Sequence, residues 1–102
     1  MTLLTAADAA RLPAIHATEG IAPADKVAQV KFFTPWTNWT WFAIEFDPTD
    51  RVFFGLVIGQ ETEFGYFSLD ELESIQGPFG LRIERDIHFM PTRLGAIPGI
   101  EL

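Results

Sequence analysis

The sequence predicts an α+β fold: one domain in which an antiparallel sheet of four or five strands carries two short helices. Three observations lead there. A chain of 102 residues holds material for a single domain with one modest core and a radius of gyration of about 13 Å. Several segments alternate apolar and polar side chains with a period of two, whereas helical spacing is confined to two short stretches. Each of those stretches follows a residue suited to cap a helix, Thr5 before the first and Ser68 before the second.

In chain order, Thr5-Ala6-Ala7-Asp8 opens a short alanine-rich helix, with Asp8 favourable in its first turn and Pro13 ending it near Leu12. Residues 13–26 carry two prolines and Gly20 without periodicity and are expected to form an ordered surface loop. Val27 to Phe33 reads as a strand, with Gln29 and Lys31 facing away from Ala28, Val30 and Phe32. Trp39 to Phe46 is a second strand: Phe42, Ile44 and Phe46 share one face, and Trp39, Trp41, Ala43 and Glu45 the other. Asp47-Pro48-Thr49-Asp50 has the composition of a type I turn, so the next strand should return as a hairpin. That strand, Val52 to Ile58, is apolar on both faces and belongs in the sheet interior. Glu61 to Phe67 forms a further antiparallel strand. Ser68-Leu69-Asp70-Glu71 fits a capping box that opens a helix of about two turns, with Leu69, Leu72 and Ile75 inward and Gly77 as its stop. Ile83 to Phe89 alternates again, with Ile83, Ile87 and Phe89 inward. The folded core is expected over residues 1–93, with 94–102 a tail that frays or lies along the surface.

Charge and composition exclude several classes of function. The chain has 7 basic and 14 acidic side chains and a net charge of −7. Residues 1–34 are balanced, so the excess of acid lies beyond them, most densely at Glu61, Glu63, Asp70, Glu71 and Glu73. Phosphate binding needs clustered cations, so a nucleic-acid partner is disfavoured. Mimicry of DNA would need a denser array of carboxylates than this. The absence of cysteine removes disulfides, thiol chemistry and Cys-type zinc sites. A membrane-spanning helix needs about 20 consecutive apolar residues, and no window offers them. The N-terminal residues lack a basic region of the secretory type, so a cytoplasmic protein is expected.

Motifs of catalysis and cofactor binding are missing. Gly65-Tyr66-Phe67-Ser68 lacks the closing glycine of a nucleophile elbow, and Gly55-x-x-x-Gly59 lacks the Lys-Ser/Thr of a phosphate loop. His16 and His88 stand apart with no metal-ligand spacing. No catalytic residue, metal or cofactor is therefore assigned. Arg82, Glu84, Arg85 and Asp86 read as a structural ion-pair cluster.

Two features carry the candidate site. Trp36, Trp39 and Trp41 lie within six positions, more tryptophan than one small core buries completely. Exposed tryptophan is typical of binding hot spots, so Trp36, Asn38, Trp39 and Trp41 are candidate binding residues, Glu45 shares their strand face, and Tyr66 joins them as an aromatic. The competing expectation is that the tryptophans form a second small core. Glu61-Thr62-Glu63 places two carboxylates on one strand face about 7 Å apart. Glu61 and Glu63 thus complete the binding set, or serve only to keep a sheet edge wet.

Lys31-Phe32-Phe33-Thr34-Pro35, Asn38-Trp39-Thr40-Trp41, Phe53-Phe54-Gly55-Leu56-Val57, Gly65-Tyr66-Phe67-Ser68-Leu69 and Ile83-Glu84-Arg85-Asp86 together resemble the bacterial domain-of-unknown-function family DUF2958. The resemblance runs from about Leu3 to Pro91 and implies a small bacterial protein often encoded on plasmids or other mobile elements. It carries no activity, cofactor or catalytic residue, and the segment from Leu94 to Leu102 departs from it. A protein-interaction or accessory module of a mobile element, acting through its tryptophan surface, is the function expected. Small-ligand or single-stranded nucleic-acid binding on the same face is the alternative, followed by a carboxylate-based or metal-dependent hydrolase.

Overall fold

Two adjacent apolar strands joined by an Asx-type turn dictate the centre of the molecule, and everything else is arranged on their two faces. The computed structural model describes residues 2–102. The N-terminal helix α1 is Ala6–Arg11, and the first two strands are β1 (Val27–Ala28) and β2 (Val30–Phe33). The hairpin strands are β3 (Thr40–Asp47) and β4 (Val52–Ile58), followed by β5 (Thr62–Ser68) and helix α2 (Leu69–Ser74). Two short strands close the chain, β6 (Glu84–Arg85) and β7 (Thr92–Arg93), the latter running into a 3-10 turn at Leu94–Ala96. The main sheet is antiparallel in the order β5-β4-β3-β2-β6, and β1 pairs with β7 in a second, two-stranded sheet. The Cα radius of gyration of 13.0 Å is that of one packed domain of this length.

Both helix starts form as their sequences dictate. The Asp8 N–H donates to Thr5 Oγ1 at 3.0 Å, and the Glu71 N–H donates to Ser68 Oγ at 3.2 Å. At the hairpin turn, Asp47 Oδ1 accepts from the Thr49 N–H at 2.9 Å. Arg51, with φ 56°, then donates to Asp70 and Glu73 at 2.7 and 2.9 Å. Those bonds pin α2 to the turn, and Glu73 also accepts from the Leu3 N–H at 2.9 Å.

The sheet is buried on both faces. On the first, α1 and α2 cover it, and Leu3, Leu4, Leu12, Leu69, Leu72 and Ile83 pack on Phe32, Trp41, Ala43, Phe46 and Phe53. On the second, Leu94 joins Ala28, Phe42, Ile44 and Leu56, with Phe89, Ile97 and Ile100 packed around them. Strand β4 is interior and touches both cores, as its apolar run requires.

Five expectations are corrected. The alternation along β3 is interrupted by a bulge between Ala43 and Glu45, where Ile44 has no partner across the pair. Beyond it the faces exchange, so Phe46 joins Trp41 and Ala43 in the first core and Glu45 turns to the second face. The strand expected over Ile83–Phe89 stops at Arg85. Asp86 Oδ1 accepts from the His88 N–H at 2.9 Å, and this local turn replaces the ladder. Ile87 is therefore exposed, and Phe89 crosses to pack, tilted, against Phe42 with ring centroids 5.7 Å apart. Ile75 caps α2 in an exposed position, and the helix ends before Gly77. The segment expected as a tail begins with Leu94, which is fully buried, and its N–H donates to the Lys26 carbonyl at 2.9 Å. The charges at 82–86 do not pair with one another: Arg85 lies 3.5 Å from Asp8, Asp86 3.5 Å from Lys31, and Arg82 donates to the Glu73 carbonyl.

Candidate functional site

The loop from Thr34 to Trp39 is a tight reversal, closed by the Thr34 N–H donating to the Trp39 carbonyl at 3.1 Å and by contact between the Thr34 and Thr37 hydroxyls. It aims its three tryptophans differently. Trp36 packs into the first core, its ring so close to the Gly77 backbone that a Cβ there would stand 2.6 Å from it. Trp41 is buried on β3. Trp39 remains 40% exposed, with its ring 5.8 Å from that of Trp41. Its other support is Gly59, where a Cβ would lie 2.5 Å from the ring. A side chain at that position would meet the indole, so glycine lets the ring lie on the turn.

Beside Trp39 the β4–β5 turn makes a surface hollow of about 420 Å³, lined by Trp39, Val57, Gln60, Glu61 and Glu63. The sequence set Trp39, Glu61 and Glu63 in one candidate group, and the fold places them on one wall. Glu61 and Glu63 are exposed and, among the described residues, form no ion pair. An aromatic face, an apolar floor and two carboxylates suit a cation with an apolar stem, which gains from the ring quadrupole as well as from the charges. The hollow offers no hydroxyl, imidazole or amine to work with those carboxylates. Among the described residues no three His, Asp or Glu side chains converge as metal ligands.

The other candidates lie elsewhere. Asn38 is exposed on the loop. Tyr66 projects from the second face of β5, 5.3 Å from Phe54, next to Glu45 and His16 rather than to Trp39. Glu45 is buried at 3% exposure, with both carboxylate oxygens engaged by the 13–26 loop. Oε1 accepts from the His16 N–H and Oε2 from the Thr18 N–H, each at 2.9 Å, and the Thr18 hydroxyl also donates to Oε2. Burial pushes its pKa up, but the Thr18 hydroxyl, the two backbone N–H groups and the Lys26 ammonium outweigh it and hold the carboxyl below its ordinary value. Glu45 is thus a clamp for the loop.

Two exposed features escaped the sequence reading. Phe79 stands fully exposed with φ 57° on the Pro78–Gly80 turn, and a hollow of about 380 Å³ opens between β2 and β6 at Lys31, Phe33, Arg85 and His88. Phe79 carried a signal in its Pro-Phe-Gly setting, whereas the second hollow depends on the early end of β6.

The model of the family described as "Protein of unknown function (DUF2958)" matches residues 3–95 of this chain. The chain belongs to DUF2958. The match covers the whole hollow, both cores as far as Leu94, and the β7 pairing, so the site is built within the DUF2958 portion of the chain. No curated protein and no solved structure matches it.

Proposed function

We propose that this DUF2958 protein is a protein-binding accessory module that takes a basic side chain of its partner into the Trp39–Glu61–Glu63 hollow. The observation that carries the reading is the half-exposed indole of Trp39, resting on Gly59 beside two carboxylates that form no ion pair among the described residues. A lysine or arginine stem would lie along Val57 and the indole, with its charge between the carboxylates. Single-stranded nucleic acid is disfavoured there, because the same carboxylates repel phosphate. A cytoplasmic role in the service of a plasmid or other mobile element belongs to the same proposal and enters through the family.

A small organic cation is the second reading, favoured by a hollow within the size range of ligand sites, about 300–1,000 Å³. Tryptophan emission, titrated with arginine-containing and lysine-containing peptides, with an acetyl-lysine control and with free arginine, tests both. Peptide binding that Trp39→Ala weakens by about 2 kcal/mol and Glu61→Gln/Glu63→Gln also weakens supports the module. Saturation by free arginine as tight as by peptide favours the small ligand. No emission change with any of these probes overturns both.

A further inference from the structure

The two outer edges of the main sheet are treated differently. At one end, β6 spans two residues and is closed off by the Asp86 turn. At the other, β5 is seven residues long and pairs with β4 in unbroken register from Thr62↔Ile58 to Ser68↔Val52. It has no proline, no lysine and no bulge, and Glu63 is its one charged residue.

The ladder fixes which backbone groups are free. The Leu69 N–H donates to the Arg51 carbonyl and the Gly59 N–H to the Glu61 carbonyl, both at 2.9 Å. In the same register, odd-numbered residues of β5 bond to β4, and Thr62, Phe64 and Tyr66 turn their N–H and C=O groups outward, as does the N–H of Ser68, whose carbonyl belongs to the start of α2.

We propose that this edge seats a second copy of the chain, β5 against β5, antiparallel about a two-fold axis at Gly65, joining two five-stranded sheets into one of ten strands. In that register Thr62 faces the second copy's Ser68 and Phe64 faces the second copy's Tyr66, and every pair that must exchange hydrogen bonds joins two outward-facing residues. Phe64 is already stacked on Phe54 at 5.9 Å, and Tyr66 lies tilted against Phe54 at 5.3 Å. The pairing extends this ladder of rings across the axis, and Tyr66, now 59% exposed, gains the second copy's Phe64. No like charges oppose each other: Glu63 faces the second copy's Phe67, and Asp70, beyond the end of the strand, is neutralised by Arg51 at 2.7 Å. At the axis, a Cβ on Gly65 would have nothing within 4 Å, so a side chain is accommodated on the sheet face there. Because each copy carries a net charge of −7, salt strengthens the pairing. The proposal is independent of the Trp39 hollow.

Sedimentation equilibrium of the full chain, from low micromolar to millimolar concentration at low and high salt, should show the mass doubling, at lower concentration when salt is high. Tyr66→Pro removes an outward N–H and the Tyr66 ring but no bond to β4, and it should abolish the doubling while circular dichroism and tryptophan emission stay native. Register is read in this cysteine-free chain by Gly65→Cys. Non-hydrogen-bonded antiparallel pairs hold Cα atoms about 4.5 Å apart, within disulfide reach of about 4.4–6.8 Å. Mild oxidation should link Gly65→Cys to itself, whereas Glu63→Cys should link only to Phe67→Cys in a mixture of the two variants. A monomer at every concentration and salt overturns the proposal and leaves the edge to a foreign strand. A dimer indifferent to Tyr66→Pro, or a Glu63→Cys that links to itself as well as Gly65→Cys does, overturns it too.

Discussion

Glu45 is the residue on which most of the 13–26 loop depends. Each oxygen of its carboxylate accepts a backbone N–H, so exchanging one oxygen for an amide leaves a buried donor without an acceptor. Glu45→Gln should therefore cost about 1–3 kcal/mol, measured by urea unfolding near neutral pH. The sign with pH follows from the lowered pKa: the folded state binds the proton less readily than the unfolded chain. The stabilisation is present above the ordinary value near 4.5 and is lost as pH falls through the folded-state value. Glu45→Gln should flatten that acid limb, and an unchanged limb would show that other carboxylates set it. Gly77 is the other informative single residue. A Cβ there meets the Trp36 ring at 2.6 Å, so Gly77→Ala should cost about 1–3 kcal/mol by overpacking, with a shift in tryptophan emission. In sequence Gly77 reads as a helix stop, because nothing local reveals a tryptophan forty-one positions earlier that lies against it. Strand spacing alone puts Glu61 and Glu63 on one face, but nothing local in the sequence places Trp39, from another loop, beside them.

At the scale of elements, local chemistry was legible and insertions were not. The caps at Thr5 and Ser68, the turn at Asp47 and the bounds of β4 follow from residues within a few positions of one another. Removing one hydroxyl, as in Ser68→Ala, should cost about 1 kcal/mol, read as a lower thermal midpoint. The bulge in β3 is different. Phe42-Ala43-Ile44-Glu45-Phe46 alternates without fault on paper, and only the pairing of Glu45 with Phe54 and Phe46 with Phe53 shows that one residue is extra. The same limit applies to β6, where an alternating segment gives way to the side chain of Asp86.

For the whole molecule, the deciding fact is that one sheet carries two cores. The second is completed by residues 94–100, which prolines and Gly99 disguise as a frayed end. Leu94→Ala should cost about 2–5 kcal/mol in denaturant unfolding, whereas truncating the fully exposed Phe79 should change stability little. Equal effects would mean that the second core contributes nothing to stability. The pairing of β1 with β7 joins segments more than sixty positions apart by two residues each, too few for any periodicity to announce them. Ile44, finally, gives the strand a single point of slack. A deletion away from the bulge would turn the positions on one side of the cut inside out, exchanging the memberships of the two cores. Deleting Ile44, or Ala43 or Glu45 whose place Ile44 would take, leaves the other partners in phase, so a length change in this strand among DUF2958 chains belongs at the bulge.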